Sequence, residues 1–283
     1  MKTNTILEEL TNATRHTYAV GAFNIFNYLS ARAVIRGAQK LNVPVILQTS
    51  AQTVRRFGPS ELGTMLRQLA WNASVNVIVH LDHCSDPDMA KACMDSGWDS
   101  VMFDGSRLPL DENIRLCREI VSYAHPRGIF VEGELGRIAG VEDDVKVDSA
   151  DASGATLEES IRFVKESGID TFAPAIGTAH GMYKSAPNIQ FDLVSQLRDA
   201  VDTPIVIHGG TGLSEETFRK LIRNGGSKVN VSTAIKHGYI DGCKEYMQAN
   251  PEKLDPIAFD QFLNCRIEDI AMQHMTLFRK DYL

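Results

Sequence analysis

Short apolar runs alternate with longer amphipathic segments along the chain, and this alternation constrains the fold more than any other feature. The runs are rich in β-branched residues and nearly unbroken in hydrophobicity, as expected of strands buried on both faces of a parallel sheet. Eight such runs in 283 residues match the number and size of the units of a (β/α)8 barrel. The runs span Tyr18–Ile25, Val43–Ser50, Val75–Asp82, Asp99–Gly105, Gly128–Glu134, Ile169–Gly177, Thr203–Gly210 and Ser227–Ser232.

The segments between the runs are predicted to be helices. Three of them end in a glycine just before the next run, at Gly97, Gly168 and Gly225, where a helix terminus needs a left-handed residue. The predicted helices include Pro87–Ser96, Asp111–His125, Thr156–Ser167, Asp192–Ala200 and Ser214–Asn224.

The length of the chain is compatible with one domain or two. A doubly wound sheet is the alternative fold, but it favours a G-x-G-x-x-G turn after its first strand, and Tyr18–Ser30 contains none. We therefore predict an α/β fold in which residues 1–283 form a single TIM barrel with extra C-terminal helices. Leu135–Ala155 is rich in glycine, aspartate and serine and is predicted to be an irregular active-site flap. Asp255–Leu283 is predicted to be a helical extension.

The charge balance argues against nucleic acid and membrane partners. A net charge of −7 provides no general attraction for polyanions or anionic lipid, so any anionic ligand must be bound by local groups. Five cysteines without a C-x-x-C pair favour a reducing compartment. The acidic N-terminus does not resemble a signal peptide, and we expect a cytoplasmic protein.

Histidines stand at or just after the ends of three predicted strands, which is where barrel enzymes assemble their active sites. His83 follows the third run, His180 is reached by the sixth and His208 ends the seventh. One histidine at a strand end is more often structural, but three at equivalent levels suit a catalytic zinc site with an open position. His80 lies inside a run and is interpreted as a core histidine.

Glycine-rich segments follow the sixth and seventh runs, at Gly177–Gly181 and His208–Gly212, and Asn230–Thr233 ends the eighth run at a predicted helix start. The loops after strands seven and eight commonly bind phosphate through backbone N–H groups and a helix N-terminus. The alternative is that these glycines only form turns. Lys184 could add a positive charge or could be a solvated lysine.

Taken in order, these segments resemble the class II, zinc-dependent ketose-bisphosphate aldolases, the fructose- and tagatose-bisphosphate aldolases. The resemblance extends over essentially the whole chain. The motifs that carry it are Ala22–Asn24, Leu81–His83, Val101–Ser106, Glu132–Gly136, Gly140–Asp144, Ala175–Gly181, Val206–Gly212 and Lys228–Thr233.

The resemblance implies that His83, His180 and His208 bind the catalytic Zn²⁺ and that Asp82 exchanges a proton with the substrate C4 hydroxyl. It further implies that Glu142 moves the proton at the carbon next to the carbonyl.

The carboxylates that match a second or alternative metal site are Asp104 and Glu134. The resemblance also allows a monovalent cation as a further cofactor. The resemblance and the loop positions together give a set of substrate- and phosphate-binding candidates. These are Asn24, Ser50, Gly181, Lys184, Gly209, Gly210, Thr211, Asn230, Val231, Ser232 and Thr233.

The physical chemistry agrees with a metal route. Zinc can spread the charge of an enediolate as a Lewis acid, so no Schiff base is needed. A covalent lysine is disfavoured because the sixth run has no lysine and Lys228 begins the eighth.

Two segments depart from the family pattern. Ala234 replaces an acid, and Thr49–Arg56 matches neither the fructose nor the tagatose subgroup. Arg55 and Arg56 are candidates for the distal phosphate, although they are more readily interpreted as surface arginines. Arg266 or Arg279 could serve instead from a neighbouring subunit.

The leading hypothesis is an aldolase that splits a ketose phosphate into dihydroxyacetone phosphate and an aldehyde. The alternatives are a non-catalytic barrel subunit of an aldolase complex that binds sugar phosphate, and a barrel isomerase or epimerase. Loss of a metal histidine or of Asp82 would mark a non-catalytic subunit, and none is lost. The helical tail beyond the barrel suggests a homo-oligomer, a dimer or a tetramer.

Overall fold

The computed structural model describes residues 5–142, 145–147, 154–181 and 187–282, with backbone alone at 139, 141–142, 145–147 and 180. The strands, numbered along the described chain, are β1 (Val20–Asn24), β2 (Val45–Ser50), β3 (Val77–Cys84), β4 (Ser100–Phe103), β5 (Phe130–Leu135), β6 (Ala139–Glu142), β7 (Val145–Val147), β8 (Thr171–Pro174), β9 (Ala179–His180), β10 (Ile205–Ile207) and β11 (Gly226–Val231). All except β6, β7 and β9 close one parallel barrel, in the order β1-β2-β3-β4-β5-β8-β10-β11. The predicted (β/α)8 barrel is confirmed.

Helices surround the barrel and agree with the predicted ones to within a residue or two. Glycine follows three of them with positive φ, at Gly97 (+80°), Gly168 (+74°) and Gly225 (+125°), as the sequence predicts. The helices are α1 (Ile6–His16), α2 (Tyr28–Leu41), α3 (Ala51–Phe57), α4 (Pro59–Asn72), α5 (Pro87–Asp95), α6 (Leu110–Ala124) followed by a 3₁₀ turn (His125–Arg127), α7 (Leu157–Ser167), α8 (Phe191–Ala200), α9 (Glu215–Arg223), α10 (Thr233–Ala249) and α11 (Pro256–Phe278).

The first helix closes the amino end of the barrel. Ile6 and Leu10 of α1 form a separate apolar cluster with the barrel residues Val20, Ile46 and Ile78. These barrel residues therefore face the interior, and residues two and four positions further along the same strands face it too. The amino end is filled by apolar side chains, so a polar site can open only at the carboxyl end.

A second, three-stranded sheet stands outside the barrel and corrects two predictions. The segment expected to be irregular contains β6 and β7, which pair antiparallel, and β9 joins β6 in parallel register. The sixth barrel strand was expected to reach His180, but β8 ends at Pro174. The chain turns at Gly177, where φ is +86°, and becomes extended again only when it pairs with β6.

The helical tail is confirmed, and α11 packs on α2 and α10 of its own barrel. Its buried side chains include Leu263, Ile267 and Met275. Glu268 of α11 is also buried and forms ion pairs with Arg36 and Lys40 of α2. Within the described ranges, no helix is both long and apolar enough to cross a membrane.

Candidate active site

The end of β3 is distorted so that two consecutive side chains reach one site. The β3–β4 register shifts between Leu81 and Cys84, and His83 has a left-handed backbone with φ of +45°. In a regular strand, Asp82 and His83 would point to opposite faces of the sheet. Here both belong to a group of potential ligand atoms, completed by His208, that lie within 4.8 Å of one another. A non-glycine residue in this conformation is strained, and such strain is concentrated at functional sites.

His83 and His208 direct ring nitrogens at each other. Nε2 of His83 lies 2.9 Å from Nδ1 of His208. The outer nitrogens of both rings contact carboxylates, because Nδ1 of His83 lies 3.0 Å from Asp104 and Nε2 of His208 lies 2.9 Å from Glu132. Burial lowers the pKa of His208, which favours the neutral ring. If each ring carries its proton on the nitrogen that faces the carboxylate, the other nitrogens of the two rings direct their lone pairs at one point. A cation at that point would be bound by both rings.

Two further carboxylates surround His83. Glu134 Oε2 lies 3.7 Å from its Nδ1 and 3.5 Å from Nδ1 of His208, and His83, Asp104 and Glu134 form a second group of potential ligands. Burial alone would raise the pKa of Asp104, but hydrogen bonds from His83 and Ser106 hold it well below its usual value. Asp104 is therefore an anion.

The donor chemistry fits a zinc ion. Imidazole nitrogens and carboxylate oxygens are ordinary zinc ligands, and each histidine here has a carboxylate on its other nitrogen, as metal-bound histidines usually do. The side chain of His180 lies outside the described part of the chain. Its backbone is near the loop that follows β10, because a Cβ atom on Gly209 would lie 2.7 Å from the backbone of Ala179.

Asp82 is fully buried and accepts hydrogen bonds from three side-chain amides. Asn24 and Gln48 donate to Oδ2 at 2.8 and 3.2 Å, and Asn230 donates to Oδ1 at 3.2 Å. Gln48 was not among the predicted site residues. Its polar side chain stands two positions after Ile46 in an apolar strand, and this period-two spacing would have placed it inside the barrel.

A buried charged pair lies deeper in the barrel, below the histidines. Lys228 is in the middle of β11, not at its beginning as the sequence suggested, and its Nζ lies 2.6 Å from Glu132 Oε2. Burial raises the pKa of Glu132, but Lys228 and His208 outweigh this and hold it well below its usual value. His80 is buried beside them, which confirms it as a core histidine.

The predicted phosphate-binding residues that the structure describes lie at or just after the ends of strands. Ser232 precedes the 17-residue helix α10, which begins at Thr233 and has no side-chain cap. Gly209 has φ of +69°, and Gly210 packs so closely on Phe218 that a Cβ atom would lie 2.8 Å from its ring.

Other candidates have different surroundings. Ser50 caps α3 through the N–H of Thr53, and Gly181 has φ of +87°. Thr211 lies in the turn after β10, and Val231 is buried at the end of β11. Lys184 lies outside the described residues.

The four candidate arginines have different environments. Arg55 is close enough to lower the pKa of the Cys84 thiol, although burial dominates and raises that pKa to about 11. Arg56 is exposed on α3. Arg266 pairs with Glu245, and Arg279 stacks on Tyr18 with 4.1 Å between the guanidinium carbon and the ring centroid. Only Arg55 is thus associated electrostatically with the end of β3.

The family model for class-II fructose-bisphosphate aldolase matches residues 4–281, nearly the whole chain. This chain belongs to the class-II fructose-bisphosphate aldolase family. Family membership makes the protein a lyase and agrees with the resemblance found in the sequence.

Solved structures show the same fold over 98% or more of this chain. A protein from Coccidioides immitis assigned as a fructose-1,6-biphosphate aldolase is 32% identical, with a TM-score of 0.89, covering 98% of this chain and 97% of its own. The YdjI aldolase of Escherichia coli K12 is 29% identical, with a TM-score of 0.86 and the same coverage of both chains. Fructose-bisphosphate aldolase from Campylobacter jejuni is 22% identical with a TM-score of 0.78, covers 100% of this chain and 95% of its own, and shares the fold.

Proposed function

We propose that this chain is a zinc-dependent aldolase that reversibly splits a ketose phosphate, fructose 1,6-bisphosphate or tagatose 1,6-bisphosphate, into dihydroxyacetone phosphate and glyceraldehyde 3-phosphate. The observation that carries the proposal is the convergence of Asp82, His83 and His208 at the carboxyl end of the barrel. The imidazole nitrogens of His83 and His208 lie beside the Asp82 carboxylate, which supports metal binding and proton transfer at one site.

His83, His180 and His208 would hold the catalytic Zn²⁺, and Asp104 and Glu134 would provide a second or alternative position with His83. When bound, zinc supplies Lewis-acid stabilisation of negative charge that develops on the substrate oxygens. His83 and His208 would be held in place by their outer carboxylates, Asp104 and Glu132.

Asp82 would take the proton of the C4 hydroxyl during cleavage. The C3–C4 bond then breaks, C4 becomes the aldehyde carbon, and the electron pair remains on C3 of the dihydroxyacetone phosphate fragment. Three amides from Asn24, Gln48 and Asn230 orient the carboxylate for this transfer. Glu142 would deliver a proton to C3 and remove it again in condensation.

Orphaned polar atoms near the site support a polyhydroxylated phosphate ester as substrate. Gln48 Oε1 and Asn230 Oδ1 are buried acceptors without a hydrogen-bond partner among the described residues, and sugar hydroxyls could donate to them. Thr178 Oγ1 and Ser232 Oγ likewise have no partner there and lie beside the proposed phosphate loops. The N-terminus of α10, which has no side-chain cap, adds a helix end suited to an anion.

We expect a cytoplasmic homo-oligomer, a dimer or tetramer. The reducing compartment is supported by the cysteines, because Cys84, Cys93, Cys117, Cys243 and Cys265 are all free thiols.

The substrate is tested with a coupled triose-phosphate assay on fructose 1,6-bisphosphate, tagatose 1,6-bisphosphate and several ketose monophosphates. We expect one bisphosphate to be cleaved with the highest kcat/KM. Absence of triose product from every ketose phosphate would contradict the proposed activity.

Removal of metal should abolish this cleavage. After treatment with a chelator and desalting, we expect no turnover, and addition of Zn²⁺ should restore it because the ligands themselves are unchanged. Metal content is measured alongside the rate. Full activity in a preparation shown to be free of metal would refute zinc dependence.

Glu142→Ala should retain zinc and lose exchange of the C3 proton of dihydroxyacetone phosphate with solvent. A positioned proton-transfer group contributes about 10²- to 10⁴-fold, and the exchange rate should fall by that factor. Asp143→Ala and Asp144→Ala are matched controls because they remove neighbouring acidic side chains. Exchange that survives in Glu142→Ala but is lost in a control would move the role to that neighbour.

A further inference from the structure

A chain of buried polar contacts connects the interior of the barrel to a proposed metal ligand. Lys228 Nζ donates to Glu132 Oε2 at 2.6 Å, and Glu132 Oε1 lies 2.9 Å from Nε2 of His208. Nδ1 of His208 then faces His83. Lys228 thus contacts one oxygen of the Glu132 carboxylate, and His208 contacts the other.

The pair is buried in a place where stability alone would favour apolar residues. Lys228 is fully buried and Glu132 is 2% exposed, and a buried ion pair is often no more stable than well-packed apolar side chains of similar size. The layer below this pair is apolar, with Ile46 and Ile78 packed against α1. Apolar side chains can therefore fill this barrel, and the charged pair of Lys228 and Glu132 lies beneath His208.

The remaining neighbours of the pair add no other negative charge to balance Lys228. His80 Nε2 lies 3.3 Å from Lys228 Nζ, while Nδ1 of His80 bonds Ser100 at 2.7 Å. The hydroxyl of Thr171 donates to Glu132 Oε2 at 3.3 Å. Among the described residues that contact it, Glu132 is thus the counter-charge of Lys228.

We propose that Lys228 is a positioning residue for the metal centre: through Glu132, it keeps His208 protonated at Nε2, so that the unprotonated Nδ1 is directed toward the metal. This inference rests on the proposed function, because it assigns His208 as a zinc ligand. Lys228 takes no part in bond making and forms no Schiff base. Its effect passes through the carboxylate, because Lys228 holds Oε2 and thereby fixes the position of Oε1 beside Nε2 of His208.

The test is a double-mutant cycle of Lys228→Met and Glu132→Gln, read out as zinc affinity in competition with a chromophoric chelator. Methionine keeps the length of the lysine stem without its charge. We expect Lys228→Met to weaken zinc binding by about 10- to 100-fold, as loss of an outer partner of a metal ligand does. In the Glu132→Gln background, the same change should cause no further loss. Lys244→Met, on the exposed face of α10, is the control and should bind zinc as the wild type does.

A purely structural role would give a different pattern. If Lys228→Met lowered zinc affinity equally in both backgrounds, or left it unchanged, the inference would be wrong. The absorption spectrum of the Co²⁺-loaded protein should change in Lys228→Met, reporting altered ligand geometry. Wild-type protein that binds no zinc would instead overturn the proposed function itself.

The metal-free wild type provides a measurement that does not depend on folding of the variants. Nitrogen-15 NMR of the histidine rings should show His208 as the Nε2–H tautomer. A ring protonated at Nδ1 alone would overturn the inference even if Lys228→Met failed to fold.

Discussion

His208→Ala is expected to lose both zinc and turnover. His208 presents one ring nitrogen to His83 and is fixed by Glu132 on the other, so alanine removes a ligand and leaves a buried cavity. A bound zinc ion supplies several kcal/mol of transition-state stabilisation, and kcat/KM should fall by roughly 10³-fold or more. Metal content after dialysis and the coupled triose-phosphate rate measure the two losses.

The matched control is His274→Ala, which also removes a largely buried histidine. His274 lies in α11, where Nδ1 contacts the carbonyl of Ile270 and the ring packs near Phe23. This control should lower the free energy of unfolding and retain zinc. If His208→Ala kept stoichiometric zinc and normal turnover, His208 would not be a ligand.

Asp82→Ala is expected to keep its metal and lose cleavage. The histidines remain, but no carboxylate is left to take the C4 hydroxyl proton, so kcat should fall by about 10²- to 10⁴-fold. Exchange of the C3 proton of dihydroxyacetone phosphate should persist, since that step belongs to Glu142. The two rates are measured on the same preparation, together with its zinc content.

Asp99→Ala provides the control for Asp82→Ala. Asp99 is a largely buried aspartate that precedes β4 and accepts the N–H of Val79, and burial raises its pKa. Its loss should reduce stability without changing the rate per zinc-loaded site. Parallel loss of zinc, exchange and cleavage in Asp82→Ala would instead make Asp82 a metal ligand.

The strands and their end residues could be predicted because burial on both faces leaves a continuous apolar run. The polar residue that ends such a run must lie at the open edge of the barrel, and Asp82, His83 and His208 were found in this way. The closed topology brings the ends of β3 and β10 together, whereas His83 joins Asp82 and His208 only through the distorted end of β3.

The interior of the barrel was harder to predict, because the site was sought in the polar residues at the ends of the apolar runs. Gln48, Glu132 and Lys228 each stand two residues before a polar strand-end residue, so they share its face. The alternation was visible in the sequence, but the partnership of Lys228 with Glu132 joins residues far apart in the chain. The left-handed backbone of His83 left no local signal, because no glycine marks it.

The small sheet outside the barrel joins two connections that a barrel would otherwise leave independent. Ala139 and Gly140 of β6 pair with Ala179 and His180 of β9, so the segment that carries Glu142 is hydrogen-bonded to the segment that carries His180. A slip of one residue in this ladder would turn Glu142 to the opposite face. Glu142, the proposed base, and His180, the proposed metal ligand, therefore lie on two hydrogen-bonded strands. We expect a displacement of one strand to move the other.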